Sequence, residues 1–293
     1  MNQHAFSTRR PDLSALRLVA LRVAVAAACL TGPVSAGAQT NILVNPGFEQ
    51  GNTGFLSNYT FRGINNDERQ YTVGAQPSAW NQAFVNPPPS SPGSVNMLIV
   101  NGGNNPGDDQ LSFWYENVTL VPGKRYRLSG RGCTAVVGGP AVVRFRANAL
   151  ALGPAVTLPN VTGVWITFET YWTPPLASVA INLQDLNTAT FPNDFYIDDI
   201  KMILDTRCQP ADIADDAGNP LPSSGSNSGV NEGDYNAFFN SFFTNQSVGS
   251  PADIAYDNGD PLPPFGVLGG VNNGVNEGDY NCFFNNFFNG CGG

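Results

Sequence analysis

The sequence predicts a mainly β protein: an antiparallel jelly-roll sandwich followed by a small α module of two loop–helix repeats. Three observations predict it. Short apolar runs separated by Gly, Pro and Asn turns fill residues 96–204, and none carries strong helical periodicity. Basic and acidic residues are nearly balanced, 10 against 12, over residues 39–207, whereas residues 208–293 hold ten acids and no Lys or Arg. The eight residues 229–236, GVNEGDYN, recur unchanged at 274–281.

The first 38 residues read as an address. Arg9, Arg10 and Arg17 open it, an apolar run over 18–30 is interrupted only by Arg22, and Ala36-Gly37-Ala38 offers a small-residue cleavage site before Gln39. This is the layout of a bacterial secretory signal peptide, and the run is too short to span a bilayer comfortably. Cleavage leaves 10 basic and 22 acidic residues, a net charge of −12. So acidic a chain is a poor nucleic-acid binder. His4, the one histidine, leaves with the leader. No imidazole then remains for general-base, triad or zinc chemistry. The mature chain is expected in the extracellular space or at a cell surface, with no membrane span.

Residues 39–207 are long enough for one substantial core. Strands are expected over 96–100, 111–120, 125–129, 141–147, 165–172, 179–183 and 195–204. The turn Val121-Pro122-Gly123-Lys124 divides the second from the third. In the last strand, alternation puts Tyr196, Asp198, Ile200 and Met202 on one face and Phe195, Ile197, Asp199 and Lys201 on the other.

The opening Asn41-Ile42-Leu43-Val44-Asn45-Pro46-Gly47-Phe48-Glu49-Gln50-Gly51 resembles the first strand of galactose-binding-like carbohydrate-binding modules. Phe195-Tyr196-Ile197-Asp198-Asp199-Ile200 is similar to their closing strand. The resemblance implies that these segments lie side by side, that a calcium ion sits near them on Glu49 and Asp198, and that the module takes a polysaccharide or glycan. Read from its neighbours alone, Asp198 is a carboxylate on an apolar face that needs an ion or a partner. Aromatic faces stack on sugar rings, so Trp80, Trp114, Tyr115, Tyr171 and Trp172 are the candidate platforms, with Trp165 beside them. In Trp114-Tyr115 and in Tyr171-Trp172, strand alternation sends one ring inward and one outward. No enzyme signature appears. Asp67-Glu68 and Asp108-Asp109 sit in polar, loop-like stretches and read as solvated.

The tail repeats more than eight residues. Pro210-Ala211-Asp212-Ile213-Ala214 recurs as Pro251-Ala252-Asp253-Ile254-Ala255, so 208–248 and 249–293 are two copies of one unit. Tyr235, Phe238, Phe239, Phe242 and Phe243 fall at helical spacing, as do Tyr280, Phe283, Phe284, Phe287 and Phe288. Each set is an aromatic stripe expected to pack on the other. Asp234 and Asp279 stand where a carboxylate suits helix-start amides. The acids before each helix resemble a duplicated, EF-hand-like calcium loop of the dockerin type, in a tail that ends near Gly290-Cys291. That resemblance implies one calcium on Asp212, Asp216 and Asp234, another on Asp253, Asp257 and Asp279, and a cohesin-like or cell-surface partner facing Glu232, Gly233, Glu277 and Gly278. Two departures stand out: loop position 3 is Ala in both copies, and a Pro- and Gly-rich insertion splits each loop.

Cys133, Cys208, Cys282 and Cys291 fit no metal or redox spacing, and in an exported chain disulfides are expected. The ends of a duplicated unit should lie close together, which predicts Cys208–Cys291, with Cys282 the rival partner. The reading that follows is a secreted, non-catalytic carbohydrate-binding protein docked through its tail. A matrix protein without sugar binding, and an enzyme or accessory of polysaccharide breakdown, are the alternatives.

Overall fold

The computed structural model describes residues 40–188, 192–223, 225–267 and 269–291. The leader and its junction at Ala38 lie outside the described residues. Ten strands precede the repeats: β1 (Thr60–Phe61), β2 (Gln70–Gly74), β3 (Met97–Asn101), β4 (Ser112–Thr119), β5 (Tyr126–Thr134), β6 (Val142–Ala147), β7 (Leu150–Thr157), β8 (Ile166–Trp172), β9 (Ser178–Asp185) and β10 (Phe195–Leu204). A single turn of helix, α1 (Pro77–Trp80), joins β2 to β3. One sheet runs β1-β2-β3-β10-β5-β8 and the other β4-β9-β6-β7. All pairings are antiparallel except β1 with β2.

Alternation explains how the sheets face each other. In β9, Val179, Ile181 and Leu183 point inward, matched by Val143, Phe145 and Ala147 of β6. Leu98, Val100, Leu128, Phe195 and Ile197 answer from the other sheet. Two ring contacts cross the interior: Phe113 to Phe195 at 4.9 Å and Phe145 to Phe168 at 5.3 Å. Fully burying such a ring contributes roughly 1.5–3 kcal/mol, so these cross-sheet rings set the spacing of the two layers.

The opening segment lies along β10. Ile42 donates its amide to the Met202 carbonyl and Ile200 to that of Pro46, both at 2.9 Å. It runs as turns and bends, not as a regular strand. In β10 the expected faces hold only in part. The register jumps between Asp198 and Lys201, and Asp199 sits at φ 51°. This bulge inserts a residue and flips the alternation. Phe195 and Ile197 face the core before it, and Ile200 and Met202 after it. Asp198 therefore leaves the face of Ile200 and Met202 and joins Tyr196, which packs with Trp80 and Phe84 in a second cluster.

The tail carries two helices, α2 (Glu232–Thr244) and α3 (Glu277–Phe287). Each begins with a capping box: Asn231 accepts from Gly233 and Asp234 accepts from Asn231, repeated by Asn276, Gly278 and Asp279. Phe238 and Phe283, both fully buried, stack at 4.0 Å where the helices meet. Ala211, Ile213, Ala214, Ala252, Ile254 and Ala255 complete that cluster. The aromatic stripes are wider than the contact. Tyr235 and Tyr280 are each 41 % exposed, and Phe243 and Phe288 are 73 % and 79 % exposed. The expectation that every ring is core fails for these four, because one crossing of two short helices covers only the middle of each stripe.

Cys208 and Cys291 form a disulfide with Cα atoms 5.6 Å apart, closing the tail at its two ends. Cys133 and Cys282 are free and buried. The described residues of the sandwich and the tail pack as one compact unit. The insertion of the second repeat seats on the sandwich, where Phe265 lies under Arg125 and Arg207.

Candidate functional site

The outer face of the four-stranded sheet is built by the same alternation that builds the core. Gln184 of β9 pairs with Arg144 of β6 and Ser112 of β4, and Asn182 pairs with Arg146 and Tyr115. Paired residues share a face, so Tyr115, Arg144, Arg146, Asn182 and Gln184 form one polar patch across three strands. It is not a solvated surface. Gln184 is 1 % exposed and Asn182 6 %. Neither the Oε1 nor the Nε2 of Gln184 has a hydrogen-bond partner among the described residues, and Asn182 Oδ1 and Arg144 Nε are also without one. A buried, unpaired polar group costs about 1–3 kcal/mol. Three adjacent side chains carrying such groups therefore form a face set up for hydrogen bonds that the chain itself does not supply. Two arginines, an amide pair and a tyrosine ring can donate to and accept from vicinal hydroxyls.

Two buried acids flank this sheet. Glu116, on the core side of β4, accepts the Val44 amide at 2.9 Å. Desolvation pushes its carboxyl up to about 7. Asp185, at the end of β9, accepts the amides of Val142 and Asn187. Burial pushes it up to about 7 as well.

The aromatic candidates separate. Trp114 is fully buried, and Trp80 is 5 % exposed with its Nε1 donating to the Arg62 carbonyl. Both are core, because the bulge at the start of β4 turns Trp114 inward and α1 packs Trp80 on Phe84. Neither is a platform. Tyr115 is the outward ring of its pair and belongs to the polar patch. In the other pair, Trp172 leans on the core cluster, while Tyr171 faces outward under the Arg207 guanidinium at 5.2 Å. Tyr171 and Trp172 line a cleft of about 610 Å³ with Arg125, Glu169, Tyr256 and Pro263, between β8 and the tail. Asp108, expected to be solvated, is 4 % exposed and paired with Arg69 at 3.5 Å.

Glu49 and Asp198 both hold residues 90–96 in place. Glu49 Oε1 accepts the amides of Val95 and Asn96, and Asp198 Oδ2 accepts the hydroxyls of Ser90 and Ser94 at 2.5 and 2.6 Å. Burial raises the Asp198 carboxyl, opposed by those hydroxyls.

The tail acids point at their own loops. Asp234 Oδ1 accepts the amides of Ile213 and Ala214 at 2.7 and 2.8 Å, and Asp279 Oδ1 those of Ile254 and Ala255 at the same distances. Asp216 accepts from Ser228 and Asn231, and Asp257 from Asn273 and Asn276. Asp212 accepts from Cys208 and Asn227, and Asp253 from Gly249 and Asn272. Among the described residues, the one group of three ionisable side chains with ligand atoms within 4.8 Å is Cys208, Asp212 and Cys291, two of which are the disulfide. Calcium needs six to eight oxygens around one point, and neither expected triad gathers there. The donor set does not fit a calcium ion. Gly233 and Gly278 offer no partner surface either. A Cβ on Gly233 would lie 2.2 Å from the Asp215 carbonyl, and one on Gly278 would lie 2.3 Å from that of Tyr256. These positions are glycine because the loop backbone packs on the helix start. Glu232 and Glu277 are exposed beside them.

No protein-family model and no curated protein matches the chain. Solved structures do. The CBM22-1 xylan-binding domain of Xyn10C from Paenibacillus barcinonensis is 14% identical, covers 58% of this chain and 97% of its own, and gives a TM-score of 0.39. TmCBM61 in complex with β-1,4-galactotriose is 16% identical over 57% of this chain and 99% of its own, at 0.38. The Stig cyclase Fisc from Fischerella sp. TAU is 15% identical over 57% and 98%, at 0.43. Binding modules and a cyclase thus stand side by side among the similar structures, and fold alone does not fix function.

The polar patch was within reach of the sequence. Val143-Arg144-Phe145-Arg146 and Ile181-Asn182-Leu183-Gln184 alternate apolar with polar, which places the arginines and amides on one face of each strand. A search for aromatic rings passes over them.

Proposed function

We propose that the protein is a secreted, non-catalytic carbohydrate-binding protein whose sandwich takes a polysaccharide along the outer face of the four-stranded sheet. The observation that carries this reading is the partly exposed face of Tyr115, Arg144 and Arg146, laid over the buried Gln184, whose amide is unpartnered at both ends. Sugar hydroxyls donate and accept at once, which is what an amide with two open ends requires. Tyr115 supplies a ring on the same face. The leader, with its arginines, apolar run and small-residue cleavage site, supports export. Among the described residues no helix is long and apolar enough to cross a membrane. Residues 208–293 attach the sandwich to a cohesin-like or other cell-surface protein, a reading supported by the exposed rings Phe243 and Phe288 at equivalent places in the two repeats.

Calorimetry of the full mature chain against soluble xylan, β-1,4-galactan and cello-oligosaccharides tests it. Binding to at least one, lost on Gln184→Ala and Arg146→Ala with the fold intact, is the expected result. Binding that survives both changes would put the site elsewhere.

A further inference from the structure

We propose that the repeated tail folds without calcium, its loop aspartates serving as fixed acceptors for the chain's own amides and asparagine side chains. The resemblance of the loops implies the opposite, so the two readings differ in what they require of the same six residues.

The carboxylate that closes each loop is already committed. Asp234 Oδ1 takes two amides of its own repeat, from Ile213 and Ala214, and its Oδ2 takes the Asn231 amide at 2.8 Å. Asp279 does the same with Ile254, Ala255 and Asn276, the last at 2.9 Å. An ionised carboxylate offers about four acceptor sites, and three are used. Each aspartate thereby ties the start of its loop to the first turn of its helix. That is the task a shared cation performs in a metal loop.

The neighbours follow the same plan. Asp216 and Asp257 each take a backbone amide and an asparagine side chain, which draws the far end of the insertion against the helix cap. Alanine at loop position 3 also has a reason. Ala214 and Ala255 are fully buried, and each pairs back onto its own insertion, at Pro220 and Pro261. A ligand side chain there would have no room. The two repeats differ in insertion length and sequence, yet they reproduce these contacts bond for bond. The arrangement is therefore a property of the unit. The one departure is Asp253 Oδ1, which is buried and unpartnered.

Hydrogen–deuterium exchange of the full mature chain, in chelator and then in millimolar calcium, decides the matter. The readout is local, so an ion held by Glu49 and Asp198 in the sandwich does not confuse it. The amides of Ile213, Ala214, Ile254 and Ala255 should be equally protected in both conditions. Protection that appears only with calcium would overturn the proposal. Two variants add a second arm. Asp279→Asn keeps an oxygen for the two loop amides, whereas Asp279→Ala keeps none. The expected order of protection at Ile254 and Ala255 is parent, Asn, then Ala, unchanged by chelator. Asn and Ala losing protection alike, and only when calcium is present, would restore the metal reading.

Discussion

The Arg125 guanidinium carbon sits 4.5 Å above the centre of the Phe265 ring, joining the margin of β5 to the insertion of the second repeat. The cation is held for the purpose. Arg125 donates to Asp205 at 2.9 Å and to the Arg207 carbonyl at 2.7 Å, and Arg207 binds Asp205 from the other side before reaching over the same ring. A cation over a ring contributes about 0.5–2 kcal/mol, and two arginines fixed by one buried aspartate address a single phenylalanine. The tail is thus seated on the sandwich by a residue of its insertion.

Phe265→Ala should unseat the tail without unfolding either part. Scattering should then report a larger radius of gyration, and proteases should cut near Thr206 and Arg207. A variant with unchanged dimensions and digestion would place the seating contact elsewhere.

The strands of the sandwich were legible because most of them alternate cleanly. β7 was not. Leu152 is its one fully buried side chain and Val156 packs on the core only in part, with Gly153 and Pro154 between them, so the strand has no clear alternating signature. β1 pairs over two residues, too few to leave a pattern. The position of Asp198 was lost to a bulge, since one inserted residue reverses every face beyond it. The repeat was plain in the letters, but its chemistry was not. Aspartates at metal-loop spacing look alike whether they meet an ion or their own amides. Only the second partner, the buried Ile213-Ala214 backbone, tells them apart.

The tryptophans and tyrosines should divide by burial. Trp114→Ala removes a ring with no exposed surface and should cost about 3–5 kcal/mol of stability. Trp80→Ala should behave the same way. Tyr115→Ala should leave the melting temperature nearly unchanged and weaken glycan binding. Thermal denaturation beside calorimetry reads both effects. A Trp114→Ala chain as stable as its parent would contradict the packing described for β4.

Reduction of Cys208–Cys291 should loosen the tail selectively. The bridge spans 83 residues of sequence, and closing a loop near that length is worth about 4.5 kcal/mol in the chain-entropy account. The paired variant Cys208→Ser with Cys291→Ser should lose exchange protection in α2 and α3 while the sandwich keeps its own. Loss of protection in β9 or β10 as well would show that the two parts do not unfold separately.

Stability should fall as pH rises from acid toward neutral. Burial pushes Glu116 and Asp185 up to about 7 and Asp194 up to about 6, while in the unfolded chain such groups titrate near 4. The folded state therefore binds more protons than the unfolded state across that window. A carboxyl with a raised folded pKa contributes stability that is complete below about pH 4 and is lost as pH climbs through 6 and 7. Asp216 and Asp257 shift the other way, lowered first of all by the amides of Ser228 and Asn273. Their contribution is complete above about pH 4, so it does not offset the loss above it. The melting temperature should be higher at pH 5 than at pH 8, by a free-energy difference on the order of a few kcal/mol. Glu116→Gln should flatten part of that slope, because the amide keeps an acceptor for Val44 and has no proton to lose. A melting temperature that rises from pH 5 to pH 8 would mean that these carboxylates are ionised at little cost, and that the core beside β4 is wetter than its packing indicates.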